Sequence, residues 1–470
     1  MEPLVGTDVE FANQTTLHPL GLATVLLLGI CLLLIPRKWA ILPFLLVACF
    51  ISSAQRLVLF GIDFTFLRIL VLVGAIRMII RHETKNLRLC HLDIAMILWM
   101  ASATFIFTLQ QGSFGAFVNR AGVSFDTLGM YFIFRGLIQN WKDVERVIFI
   151  CIWIAIPIGL CFLLENRTGR NIFSIFGGVP EITDIRDGRL RCQGAFSHPI
   201  LAGCFWSSLI PLFVVFKFTP RRKVWAATGI ISACVIVVCC ASSTPILGIF
   251  MAIVGWAMFF LRNSMRIVRW TVLALLILLH FAMEAPVWHL FARISAVGGS
   301  TGWHRFNLIN QAIIHFDKWW LIGCGGVEAR NWGIWAGDIT NHYLLEGFRG
   351  GFLTLSLFIA VLAIAFGKVG RLWRAVQADR YALYLSWALG VSLFIHCMNF
   401  TAVSYFGQIY LIFFLLLAMI GSLPADPVQV PIQRQPEFAN VKQQTRLGLK
   451  KNRHGGKDLY RTVRSVEHFQ

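Results

Sequence analysis

Apolar stretches of 16 to 19 residues recur thirteen times along this chain, at 19–35, 39–54, 64–80, 92–109, 121–139, 146–164, 199–216, 224–240, 245–261, 267–283, 351–367, 382–400 and 405–421. Each approaches the roughly 20 residues that carry a helix across about 30 Å of hydrocarbon. Backbone amides in lipid find no water, so only helices and closed barrels satisfy them, and these stretches are too long and too uniformly apolar for barrel strands. With 57% hydrophobic and 14% charged residues and a mean hydropathy of +0.69, the composition agrees, since a soluble domain carries about 25% charged residues. The expected fold is an all-α polytopic membrane protein with twelve to thirteen transmembrane helices. Residues 1–18 hold Glu2, Asp8 and Glu10 and no Lys or Arg, the reverse of a basic leader segment, so the first stretch reads as a permanent helix.

Cations orient the bundle. The connections 36–38, 81–91, 140–146, 217–223, 262–269 and 368–380 together hold 18 Lys and Arg, whereas the short connections on the other side hold only Arg56 and Arg120. The positive-inside rule places the first set in the cytoplasm. Two long polar loops, 165–198 and 284–350, then share the outer face, with five Lys or Arg each. Basic groups kept there against the topological bias point to an anionic partner. Residues 424–470 differ in character: a Pro- and Gln-rich start turns into a tail with nine Lys or Arg, four Asp or Glu and too few large apolar residues for a core. We read 1–423 as a transmembrane helical domain and 424–470 as a disordered basic cytoplasmic tail, with attraction to anionic lipid as an added role. Topology and tail account for much of the net charge of +19, so no nucleic-acid partner is needed.

Polar chemistry concentrates in residues 300–351, which keep Arg305, Asp317, Asp338, His342 and Glu346 outside the apolar stretches. The sequence has no HExxH helix, DxD-like acidic cluster, CxxC pair or phosphate-binding glycine pattern, so neither a metal nor a cofactor is expected. Most of the twelve cysteines fall in apolar stretches, while Cys192 and Cys324 in the outer loops are a candidate disulfide. Arginine is the natural reader of phosphate, because its planar guanidinium donates two parallel charge-assisted hydrogen bonds. The outer loops offer Arg191 and Arg305 among others, and the apolar stretches add Arg68, Arg77 and Arg135. Ionisable groups inside a membrane are functional candidates by default. Arg77 lies near a cytoplasmic end and reads as snorkelling, and an ion pair of Asp126 with the neighbouring arginines is the structural alternative.

In order, RCQGAFSHPILAG (191–203) at a helix entry, two helices separated by ASSTP (241–245), a large loop with Arg305 near its start, a GxGG turn at 323–326 and TNHYLLEGFRGGFLT (340–354) resemble the O-antigen ligase and O-antigen polymerase family. The likeness covers most of residues 60–421. It implies a GT-C-like bundle in the bacterial inner membrane with a large periplasmic loop. It also implies transfer of a glycan from an undecaprenyl-diphosphate-linked oligosaccharide donor, at the periplasmic face, without metal or nucleotide sugar. The acceptor is another glycan in a polymerase and lipid A-core in a ligase. The family motif runs His, Asn/Ser/Gln, nine residues, Gly, two residues, Gly/Thr/Tyr. Here Thr340 takes the place of the histidine, followed by Asn341, Gly351 and Thr354 in register. His342 and Asp338 stand two residues to either side. An extended segment puts 338, 340 and 342 on one face and a helix separates them, so either is the candidate base. The family's Ser-Arg-Gly step on the short outer turn reads Ser242, Ser243, Thr244, Pro245 here, so Arg191 or an intramembrane arginine has to supply that cation. Arg305 matches the family's loop arginine. The displaced histidine favours polymerase slightly over ligase.

These residues suggest an inverting substitution at the anomeric carbon. Arg305 and Arg191 hold the diphosphate as charge builds on the leaving group, and His342 or Asp338 accepts the proton of the acceptor hydroxyl. Arg68, Arg135, His198, Asn341 and Glu346 are the further substrate-binding candidates. His198 also suits helix entry, and Glu346 a cap or a pair with Arg349. Trp303, Trp319, Trp320, Trp332 and Trp335 suit stacking on sugars or an interfacial aromatic belt. The rival reading is a transporter or flippase without covalent chemistry, which predicts polar groups at mid-membrane and two similar halves. This chain gathers its polar groups in outer loops and shows no evident repeat.

Overall fold

The computed structural model describes residues 15–59, 62–85, 87–293, 302–324, 326–333 and 339–424, all within one compact unit. Asp338, Trp335 and the tail from residue 425 lie outside the described residues. The helices are α1 (Pro19–Leu34), α2 (Leu42–Phe50), α3 (Phe66–Ile80), α4 (His91–Gln111), α5 (Phe114–Leu137), α6 (Trp141–Thr168), α7 (Pro199–Val215), α8 (Lys223–Cys239) and α9 (Ser243–Ala257). They continue as α10 (Met265–Ala282), α11 (Leu290–Arg293), α12 (Gly302–Ile314), α13 (Phe316–Trp319), α14 (Gly326–Asn331), α15 (His342–Ala375), α16 (Arg380–Phe400) and α17 (Ile409–Ser422). Two small antiparallel hairpins, β1 (Arg56–Leu59) with β2 (Ile62–Thr65) and β3 (Ile185–Arg186) with β4 (Arg189–Leu190), fold within connecting segments.

Every apolar stretch of the sequence is helical. Among the described residues six segments are long and apolar enough to cross a membrane: His91–Gln111, Trp141–Thr168, Pro199–Phe218, Ser243–Ala282, His342–Ala375 and Arg380–Phe400. The chain is therefore a helical, multi-pass membrane protein. The expected crossing at 39–54 is corrected. Its helix Leu42–Phe50 has nine residues and rises about 14 Å, less than half the hydrocarbon thickness. The apolar run Ser243–Ala282 is divided into α9 and α10 by the tighter 3-10 winding of Met258–Ser264. Local chemistry sets the ends. Proline occupies the first turn of α1, α2 and α7, where its missing N–H would have no partner anyway. Asn140, Asn341 and Asp379 side chains cap α6, α15 and α16, and left-handed Gly112 and Gly169 close α4 and α6.

Helices α7 and α17 are the most enclosed elements, with Phe205, Phe213, Phe413 and Leu417 fully buried. Helix α4 lies against both α5 and α15, and α16 against α7 and α9. A second, smaller core of Leu308, Ala312, Trp319, Cys324, Ala329, Ile339, Leu345 and Phe348 fastens α12 to α14 onto the first turns of α15. Just beyond, α15 breaks at Gly350 and Gly351, and Gly351 adopts φ 65°, ψ −173°, a conformation essentially confined to glycine. The break lets two backbone bonds tie the loop to the helix: Phe352 N–H to the Trp320 carbonyl at 2.7 Å, and Cys324 N–H to the Phe348 carbonyl at 2.8 Å. A Cβ on Gly351 would overlap the Leu321 carbonyl. Gly351→Ala is accordingly expected to destabilise the fold by about 1–3 kcal/mol or more. Thermal unfolding of the detergent-solubilised protein measures this, and Thr354→Ser serves as an unstrained control in the same motif.

Candidate functional site at the loop end of the bundle

Both long polar loops arrive at the same end of the bundle, and residues 401–408 join them. Gln408 Nε2 donates to the carbonyls of Ile51 (3.3 Å) and Ala195 (2.6 Å), and Ser53 and Ser197 hydroxyls meet at 2.6 Å. On the other side Ser404 Oγ donates to the Ile339 carbonyl, and the Tyr405 N–H donates to His342 Nδ1 at 3.4 Å. Glu165, at the end of α6, accepts from Gln193 N–H (3.0 Å), Gly194 N–H (3.1 Å) and Thr183 Oγ1 (3.2 Å). That carboxylate shapes the 191–194 turn and thereby places Arg191.

The buried arginines fall into two classes. Arg68 grips Asp126 with both Nε (2.9 Å to Oδ1) and Nη2 (2.6 Å to Oδ2). Arg77 takes Glu83 in the same forked way at 3.0 and 2.7 Å. Arg135 takes Asp93 at 3.0 and 2.9 Å, an oxygen that also accepts from Tyr131, and it reaches the Arg88 carbonyl and Ser422 at the end away from the long loops. These guanidiniums are already occupied by carboxylates, so Arg68 and Arg135 are fastenings of the bundle in this structure and not free phosphate readers. Arg77 is buried against Glu83, which corrects the snorkelling expectation. The second class sits among the loops. Arg191 (8% exposed) and Arg120 (6% exposed) each bury a guanidinium Nε that meets no acceptor among the described residues. No hydrogen bond or ion pair of the half-buried Arg349 is found among them either. Burial, and then the charge of Arg186, lowers the pKa of Arg191, as expected of a cation deprived of water and counterion. Arg305 Nη2 donates to Thr244 Oγ1 at 3.1 Å, on the short turn that reads Ser242, Ser243, Thr244, Pro245, and its charge reaches Cys204 on α7. Arg191 in turn borders Cys240, so Arg191 and Arg305 frame the α8–α9 turn.

His342 is 0% exposed and sits among the rings of Phe358, Phe400, Tyr405 and Tyr410, with centroids 4.9 to 5.9 Å away. Its Nδ1 accepts from Tyr405, and its Nε2 has no partner among the described residues. Asn341 caps the helix through the Leu344 N–H (3.1 Å) and reaches the Thr401 carbonyl at 3.4 Å. Glu346 accepts from Trp99 Nε1 at 2.8 Å instead of pairing with Arg349. Trp319 is buried with its Nε1 on the Ala312 carbonyl at 2.8 Å, and Trp332 stacks on His315, which assigns both to packing. Trp303 and Trp320 are exposed. Cys192 and Cys324 are both free, and Cys192 lies against Cys239, which corrects the disulfide expectation.

His198 caps α7, accepting the Ile200 N–H at Nδ1 (3.1 Å). Burial, and then the Arg191 charge, lowers its pKa to about 4, below the roughly 6.5 of a free imidazole. The unfolded chain therefore binds more protons between these values, and the neutral cap's contribution is complete above about pH 6.5 and lost as pH falls toward 4. His198→Asn, a cap that does not titrate, is expected to flatten the fall of the thermal midpoint between pH 7 and 4.5.

Arg120 and Arg349 escaped the sequence reading, which counted the first as a loop cation and offered the second to Glu346. One signal was available: no Asp or Glu lies between Arg120 and Asp126 or within ten residues before it, and Asp126 is taken by Arg68. Compared with known proteins, the sequence matches no family model and no curated protein.

Proposed function

We propose that the protein is a bacterial inner-membrane glycosyltransferase of the GT-C kind. It would transfer a glycan from an undecaprenyl-diphosphate carrier to a sugar hydroxyl at the periplasmic face, in polymerisation or ligation of a surface polysaccharide. One observation carries the reading: the bundle neutralises Arg68, Arg77 and Arg135 with carboxylates, whereas Arg191, Arg120 and Arg349, at the end where the two long loops meet, have no acceptor among the described residues. Burying an uncompensated cation is costly, so a site that retains several is built for an anion. Arg191 and Arg305, either side of the α8–α9 turn, hold the donor diphosphate.

The acceptor oxygen bonds to the anomeric carbon while the carbon–oxygen bond to the diphosphate breaks, its electron pair passing to the phosphate oxygen. The hydroxyl proton goes to the base. Because His342 Nδ1 accepts the Tyr405 amide, the neutral ring carries its proton on Nε2 and acts as a donor toward developing negative charge. Asp338 is left to accept the hydroxyl proton. Substrate reaches Nε2 once the aromatic wall around it opens. In an assay with purified protein, a synthetic undecaprenyl-diphosphate oligosaccharide and chelator present, the expected product is a longer or relocated glycan with inverted anomeric configuration. Absence of transfer together with translocation of the donor across proteoliposomes would overturn this reading in favour of a transporter.

A further inference from the structure

Two of the arginines without an acceptor among the described residues, Arg120 and Arg349, are held against the outer end of α4. Arg120 sits in the second turn of α5 with its guanidinium over the Phe107 ring, 5.2 Å from the centroid. Arg349 ends the first segment of α15, immediately before the glycine break. Their charges act on each other, and both act on the His342 ring. Helix α4 holds the group in place: Phe107 underlies Arg120, Gln110 Nε2 donates to the Phe348 carbonyl at 3.0 Å, and Trp99 engages Glu346 at 2.8 Å. Glu346 is the acid whose charge reaches Arg349, but its carboxylate is directed to Trp99 and forms no ion pair with either arginine. Like charges brought together under burial oppose folding. An arrangement that accepts this, with Arg120 nine-tenths buried and its Nε without a partner among the described residues, suits an oxyanion, which takes charge-assisted hydrogen bonds from guanidiniums.

We propose that Arg120 and Arg349 form a second anion site, which takes a phosphate or carboxylate group of the acceptor while Arg191 and Arg305 hold the donor. The assignment of this group to the acceptor rests on the glycosyltransferase reading, whereas the anion site does not. Group transfer needs both substrates held at once, and two guanidinium pairs on different parts of the chain, with His342 beside one of them, supply that.

Inorganic pyrophosphate titrated calorimetrically into the full-length protein is expected to fill two sites. Arg120→Gln with Arg349→Gln should leave one, and Arg191→Gln with Arg305→Gln the other. Without ligand, the Arg120→Gln, Arg349→Gln variant should melt at or above the wild-type temperature, because a like-charge contact has gone. In transfer assays it should raise KM about tenfold or more for an anionic acceptor, in line with one lost charge-assisted hydrogen bond, and by much more than for a neutral acceptor or for the donor. Comparing phosphate-bearing with uronate-bearing acceptors identifies the source of the anion. Unchanged pyrophosphate stoichiometry, or a lower melting temperature that Arg120→Lys with Arg349→Lys restores without restoring pyrophosphate binding, overturns the site. Two bound pyrophosphates in a protein that transfers no glycan would instead uphold the site and remove the enzymatic reading.

Discussion

His342→Phe is expected to lower the rate of glycan transfer about 100- to 1000-fold, the range for losing one donor to developing negative charge, while the protein stays folded with a thermal midpoint close to the wild-type one. The second half follows from the surroundings. The imidazole is enclosed by Phe358, Phe400, Tyr405 and Tyr410, and its Nε2 is buried without a partner among the described residues. A buried donor without an acceptor is unfavourable, and a phenyl ring of similar shape removes it while continuing the aromatic packing, which offsets the acceptor that the Tyr405 N–H loses. If His342 were only a packing residue, the variant would be stable and fully active, so activity and melting must be measured on the same preparation. Asp338→Asn separates the two proton roles. It should abolish the acidic limb of the pH–rate profile, whereas His342→Phe should preserve that limb at reduced amplitude.

Hydropathy located the long apolar helices, because the need to satisfy backbone groups in lipid leaves no alternative to winding them, but it missed the short helices α11 to α14 of the 284–350 loop. It overcounted at 39–54, where apolar composition serves packing against α1, α3 and α6 instead of a full crossing. The site was legible in part. Arg191, Arg305, His342 and Asn341, singled out from the sequence, all lie at the loop end. Charge partners were not legible. Asp126 could join either Arg68 or Arg135 from its position in the chain, and the choice is made by which side of α5 faces α3. The same limit hid Arg349, whose neighbour Glu346 one turn earlier promised an ion pair that Trp99 of α4 takes away. Pairing across helices is decided by packing, and a single sequence does not contain the packing.

Arg305→Ala is expected to reduce kcat/KM about 100- to 1000-fold, because an arginine on the leaving diphosphate stabilises charge that exists fully only in the transition state. Arg305→Lys should recover only part of this, since a point charge on a flexible stem does not reproduce the forked contact. The structure adds a graded control. Thr244 Oγ1 accepts from Arg305 Nη2 at 3.1 Å, so Thr244→Val keeps the cation and removes one of its anchors. That change should cost about tenfold, the weight of one hydrogen bond, and it should fall on kcat more than on donor KM if aim, not charge, is what is lost. Combining Thr244→Val with Arg305→Ala should then add nothing beyond Arg305→Ala alone, because the threonine acts through the guanidinium. Additive losses would mean that Thr244 serves the helix start of α9 by itself, and that the α8–α9 turn holds no diphosphate.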